Sequence, residues 1–314
     1  VKLLFTMHIP DGFVSVPVAA ATTVASVAGL AVALGRSNDA FGVRRAPVLG
    51  LTTAFIFAAQ MINFPVAGGT SGHLLGGVLA AVVLGSPWAG AICSAVVLII
   101  QAVLFADGGI TALGANIFNI GFVGVWVGWL LFQTLHRLFG GSKSRLPLAA
   151  GIAAGVSVPV AAIFAAIQLA ISGTANFGVI LPAMAGVHIL IGIGEGLITG
   201  GVLAYLVKAR PDLLPGNDEK QIRSWVVPVV SIFLVAGLLS LVASSSPDGL
   251  EKVAKDNEFL YLAEQIRISV ATPFADYTLN GNEGIGTSIA GILGSIVCFG
   301  VAWGIAQVVK PKNA

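Results

Sequence analysis

The chain has 314 residues, of which 56% are hydrophobic and only 10% charged, with a net charge of +2 and a mean hydropathy of +0.95. Charged residues make up roughly a quarter of an ordinary globular domain, so this composition excludes one and implies an integral membrane protein. The apolar runs are long and recur throughout, which argues for membrane helices over short alternating barrel strands, and against one removable signal peptide.

The first motif in chain order is Met7-His8-Ile9-Pro10-Asp11-Gly12, a hydrophilic stretch ahead of the first apolar run. Pro10-Asp11-Gly12 is a turn signature that folds this tip back over whatever follows. Apolar spans are then predicted at 16–34, 47–64, 73–85, 88–106, 117–137, 148–172, 180–207, 225–243 and 287–309. The expected fold class is thus an all-α integral membrane protein with about nine transmembrane helices. The span at 73–85 is shorter than the ~20 residues a crossing normally needs. Its Gly-rich approach at 66–72 is expected to enter membrane depth as irregular backbone lining a cavity.

Basic residues cluster in alternate loops: Arg36, Arg44 and Arg45; Arg137, Lys143 and Arg145; Lys208, Arg210, Lys220 and Arg223; Lys310 and Lys312. The positive-inside rule makes those loops cytoplasmic, with the N-terminus outside and the C-terminus inside. A polar linker at 208–224 divides the chain into a seven-span unit, 7–207, and a two-span unit, 225–314. The second unit carries a long acidic outer segment, 244–286, in which 257–270 has helical spacing and predicts a short amphipathic helix on the outer surface. Cys93 and Cys298 lie within apolar runs, and no disulfide is expected. The charge balance says little about partners: the lipid bilayer is one, and no nucleic acid is expected.

His8 is answered by Gly68-Gly69-Thr70-Ser71-Gly72-His73. In a chain beginning Met-His, the amine and the second residue's amide nitrogen close one chelate ring, and that amide with the imidazole closes another. A fourth nitrogen from His73 would complete a square plane, the geometry that selects nickel(II) or copper(II). Binding would release protons, so affinity should fall in acid. Val1 suggests an alternative start codon, which makes Met7 the expected initiator. Asp11, Thr70, Ser71, Asn116 and His188 are candidates for the surrounding shell that orients the ligands. The same motifs are also compatible with His8 as an interfacial polar residue and Gly68–Gly77 as a small-residue surface for helix packing.

These motifs, with Asn63-Phe64-Pro65-Val66-Ala67-Gly68, Gly114-Ala115-Asn116, Asn119 and His188-Ile189-Leu190-Ile191-Gly192-Ile193-Gly194-Glu195, carry a resemblance. The chain resembles the NikM/CbiM family of substrate-capture components of nickel and cobalt energy-coupling-factor transporters. Its C-terminal part resembles the NikN-like companion, through Pro247-Asp248-Gly249-Leu250-Glu251. The resemblance implies a metal held by Met7, His8 and His73, a transmembrane coupling protein and cytoplasmic ATPase subunits. It also implies capture of Ni2+ or Co2+ outside the cell, in the cell membrane, with no resident cofactor and no enzyme activity. No G-x-x-x-x-G-K-[ST] phosphate loop occurs in the chain.

Other residues permit rival readings. Glu195 is ionisable and mid-span, which makes it a functional candidate; with His188 it could serve a stand-alone proton-coupled metal transporter, or both could simply bond neighbouring helices. Asn116 and Asn119 could bond the N-terminal tip, or Asn116 could cap a helix. Ala21, Ala25 and Ala28 form a small-residue ridge on the first span, suited to a coupling protein or to packing within the chain.

Overall fold

A computed structural model describes residues 8–37, 46–216, 224–265, 272–277 and 285–309. Met7, Arg44, Arg45, Lys220, Arg223, Lys310 and Lys312 lie outside these residues. Among the described residues, six helices are long and apolar enough to cross a membrane: α1 Val16–Arg36, α4 Pro87–Leu104, α5 Leu113–Leu138, α6 Leu146–Ile171 (continuing a 3₁₀ turn from Lys143), α7 Phe177–Ala209 and α10 Ile285–Val309. Shorter helices are α2 Ala46–Gln60, α3 Gly77–Leu84, α8 Val226–Gly237 and α9 Gly249–Asp256. The chain is a multi-pass membrane protein.

Local chemistry sets the helix ends. Pro87 opens α4 behind Ser86, whose hydroxyl accepts the Ala89 amide, and the Asn176 side chain caps α7 by accepting from Gly178. α3 is bracketed by Gly76 and Gly85, both left-handed with φ near +70°, which no β-carbon tolerates well. All eight residues of α3 are buried, yet it rises only about 12 Å against the roughly 30 Å hydrocarbon core.

Here the sequence expectation is corrected. The third helix starts at Gly77, four residues beyond His73, because the approach is an antiparallel two-stranded hairpin, β1 Phe64–Val66 and β2 Thr70–Gly72. His73 to Gly76 follows without helical structure. The fifth helix begins at Leu113, ahead of the expected 117, and winds as a π-helix over Ile117–Gly124. The amphipathic helix expected at 257–270 is replaced by α9, ending at Asp256, and a single turn Leu262–Gln265, while 266–270 lie outside the described residues. The overlooked signal is Asp248-x-x-Glu251: the Asp248 carboxylate accepts the Glu251 amide at 2.7 Å and starts the helix. α9 does not float on the surface, since Leu250, Val253, Ala254 and Phe259 pack in one cluster with Phe13, Ile180 and Met184.

Long α6 and α7 cross with backbone nearly touching backbone. A β-carbon at Gly192 would sit 2.3 Å from the Gly155 carbonyl oxygen, and one at Gly151 would sit 2.8 Å from that of Gly196. α10 packs on α2 in the same manner, with Gly294 against Phe57 and Gly50 against Phe299. α2 also packs on α8 through Leu51, Ala54, Ala58, Ile232 and Ala236. Cys93 and Cys298 are free and buried.

Candidate metal site

The tip 8–15 folds back into the helix ends, as its turn signature predicts. The Asn116 side chain clamps Ile9 from both sides, accepting the Ile9 amide at 3.0 Å and donating to the Ile9 carbonyl at 3.1 Å. Asn116 therefore bonds the tip from inside α5 instead of capping a helix. Asp11 accepts the Thr111 amide at 2.7 Å and the Thr111 hydroxyl, fastening the turn to the 105–112 loop. Gly109 donates its amide to the Ile9 carbonyl at 2.9 Å, and a β-carbon there would lie 2.2 Å from the Asp11 nitrogen. Beyond the tip, Ser15 donates its amide to Ser172 and Thr174 donates its hydroxyl to the Phe13 carbonyl.

This fastening brings His8 to His73, with ring centroids 5.2 Å apart and planes nearly perpendicular. Both are buried. His8 Nε2 lies 3.0 Å from the Gln101 side-chain oxygen, whereas buried His8 Nδ1 has no hydrogen-bond partner. Burial pushes the His8 imidazole down to about 4, only partly opposed by the Gln101 bond, so the ring is neutral at ordinary pH. His73 Nδ1 donates to the Leu74 carbonyl at 3.1 Å, which assigns the proton to Nδ1 and the lone pair to Nε2.

The two rings line a cavity of about 70 Å³, together with His188, Asn116, Asn119 and Asp248. His188 Nδ1 donates to Met184, one turn back on α7, and the Cε1/Nε2 edge of the ring meets Gly249 at the start of α9. Asn119, in the π-helical segment, pairs reciprocally with Gln168 at 2.9 and 2.7 Å. Ser71 points away from the cavity: its amide and hydroxyl donate to the carbonyls of Pro247 and Ser246, and Thr70 is buried in the hairpin opposite Val66. Glu195 lies deeper on α7 and accepts the amides of Leu75 at 2.6 Å and Gly76 at 3.0 Å. It thereby holds the run that carries His73 and sits at the positive end of α3.

Among the described residues, no three His, Cys, Asp or Glu side chains are grouped so as to hold a metal ion. Any ligand set built on His8 and His73 would therefore need donors other than a third such side chain from the described residues. A larger cavity of about 340 Å³ between α2, α7 and α8 is overwhelmingly apolar. Its Arg210 is paired with Asp212 at 2.7 Å.

Residues 8–213 match the model of the cobalt uptake substrate-specific transmembrane region, and residues 223–311 match the PDGLE domain. The chain belongs to the cobalt uptake substrate-specific (CbiM) family. It is 39% identical over 97% of its length, and 99% of the relative's, to an Archaeoglobus fulgidus protein named "Putative fused nickel transport protein NikMN". It is 33% identical to the fused nickel transport protein NikMN of Rhodobacter capsulatus, over 77% of this chain and 75% of that one. A crystal structure of a truncated transition metal transporter, 37% identical, superposes with a TM-score of 0.58 over 64% of this chain and 98% of the other.

His8 and His73 both lie within the residues matched by the family model. Sequence reasoning missed Gln101, Asp107 and Tyr277, which touch His8 directly or in series. It also did not place Asp248 and Gly249 at the cavity wall. No local pattern flags Gln101, Asp107 or Tyr277 as site residues, because the bonds that join them to His8 cross long stretches of the chain.

Proposed function

We propose that this chain is the substrate-capture component of an ATP-driven energy-coupling-factor importer, taking Ni2+, or Co2+, from outside the cell. The cargo would be held by the amine of Met7, the amide nitrogen and Nδ1 of His8, and His73. The observation that carries this reading is the bare, buried Nδ1 of His8 beside the His73 ring. Only Nδ1 is close enough to the residue's own amide nitrogen to share an unstrained chelate ring with it, and a buried imidazole nitrogen with no partner is otherwise costly. Fused nickel transport proteins among the relatives favour nickel over cobalt.

Nine crossings, with the N-terminus outside, fit this role. α3 would complete the third crossing with the 73–76 run, held at depth by Glu195. The two units, 7–207 and 225–314, would meet on the outer side over the ion, and 208–224 would lie in the cytoplasm. Energy would come from cytoplasmic ATPase subunits through a transmembrane coupling protein; Ala21, Ala25 and Ala28 on α1 are exposed and give such a partner a close approach. The rival proton-coupled reading needs Glu195 to cycle its proton, yet both its carboxylate oxygens are engaged by backbone amides.

The test is equilibrium dialysis of nickel against purified protein that begins at Met7, and against the same protein with Gly-Ser added ahead of Met7. Tight binding by the first and at least a hundredfold weaker binding by the second is expected. Equal binding by both would remove the amine from the ligand set.

A further inference from the structure

Four side chains form a chain of hydrogen bonds from the second unit into the metal site. His8 Nε2 is 3.0 Å from Gln101 Oε1, Gln101 Nε2 is 3.1 Å from Tyr277 Oη, and Tyr277 Oη is 2.7 Å from Asp107 Oδ2. All four are buried. Their direction follows from the terminal group. The Asp107 carboxylate accepts, so the Tyr277 hydroxyl donates to it and can only accept from Gln101. The amide nitrogen of Gln101 therefore faces Tyr277 and its oxygen faces His8. An oxygen acceptor requires a proton on Nε2, and a neutral imidazole has one proton, so Nδ1 is left with its lone pair.

Two further observations describe how Tyr277 is held. Its backbone φ is +55°, in the left-handed region where a bulky aromatic is rare, and Ala106, next to Asp107, has the same φ. The ring is stacked on Phe105 with centroids 4.9 Å apart and faces Phe57 at 6.3 Å, which fixes where the hydroxyl can point. Burial, and then the neighbouring Asp107 carboxylate, raise the Tyr277 pKa well above that of a free phenol, so the group stays protonated.

We propose that Tyr277, contributed by the PDGLE-matching region, is a positioning residue for metal capture: by orienting the Gln101 amide it sets the tautomer of His8 and exposes Nδ1 as the metal-binding nitrogen. The C-terminal unit thus acts on the ion site without touching the ion. Without the hydroxyl, the Gln101 amide loses the partner that distinguishes its two ends. It can then turn its nitrogen toward His8, stabilise the Nδ1–H form and mask the ligand. This inference rests on the capture reading above for its consequence, but not for the tautomer itself.

The experiment uses the full chain in detergent with histidines labelled by nitrogen-15. Imidazole nitrogen shifts of His8 are recorded without metal, and nickel is then titrated. Wild type should show an unprotonated Nδ1. Tyr277→Phe, which keeps the stacked ring, should show mixed tautomers and bind nickel about ten- to a hundredfold more weakly, the usual scale for losing a group that orients a ligand. Adding Gln101→Glu to Tyr277→Phe supplies an acceptor whichever way the side chain turns, and should restore the Nε2–H form and most of the affinity.

An unchanged tautomer in Tyr277→Phe overturns the proposal, as does a tautomer shift with unchanged affinity. A double variant as weak as the single one assigns the effect to packing and overturns it too. Wild type that shows the bare Nδ1 but takes up no nickel would instead contradict the capture reading, leaving the positioning of His8 intact.

Discussion

The two ends of this molecule are built by different means. Around the histidine pair, elements distant in sequence are joined by directed side-chain bonds: Asn116 to Ile9, Asp11 to Thr111, Glu195 to the 75–76 backbone, Gln101 to Tyr277. Along the crossing of α6 and α7, which also wall part of the cavity, the helices hold each other through Gly151, Gly155, Gly192 and Gly196, with backbone oxygens where side chains would otherwise stand. The first arrangement fixes individual atoms, as an ion site must, because a displacement of an ångström spoils a ligand plane. The second fixes only the distance between two helices, which suits a scaffold surrounded by lipid. Substitutions at the two kinds of contact should therefore differ in effect.

The largest effect on capture should come from His73→Ala. Nickel binding should fall below detection in equilibrium dialysis, while the thermal midpoint moves by only a few degrees; a large loss of stability would show that this end also carries the fold. Gly151→Ala should reverse the pattern. Its β-carbon would lie 2.8 Å from the Gly196 carbonyl, so α6 and α7 must part, at about 1–3 kcal/mol. Denaturation in mixed micelles would measure it, and the folded fraction should bind nickel at full affinity. Loss of affinity in that fraction would couple the two ends more tightly than the contacts imply.

Glu195→Gln probes the junction between them and should give the smallest change. The amide can accept from one of the two backbone N–H groups but not both, which costs about 1–2 kcal/mol and weakens nickel binding a few-fold. Normal stability together with abolished pH-driven uptake into liposomes would favour the proton-coupled alternative.

The same contrast governs what could be read in the sequence. The long helices follow from apolar runs, and the pairing of His8 with His73 follows from two short motifs whose chemistry converges. Where the reading strayed, the controlling interactions were of another kind. Strands of three residues are too short to show alternation, so the 64–72 hairpin was invisible, and left-handed Gly76 delays α3 beyond any boundary set by hydropathy. The helix sought at 257–270 was drawn by apolar spacing, while the capping box at Asp248 and Glu251 started one earlier. The partnership of Gln101 with Tyr277 spans 176 positions and could only emerge from the fold.

The account depends on two imidazoles and backbone nitrogens forming one plane around the ion. X-ray absorption at the nickel edge of the loaded, purified protein tests this directly. The account predicts four nitrogen ligands in a square plane, with outer-shell scattering from two imidazoles. A six-coordinate, oxygen-rich shell, or outer-shell scattering from fewer than two imidazoles, would contradict it.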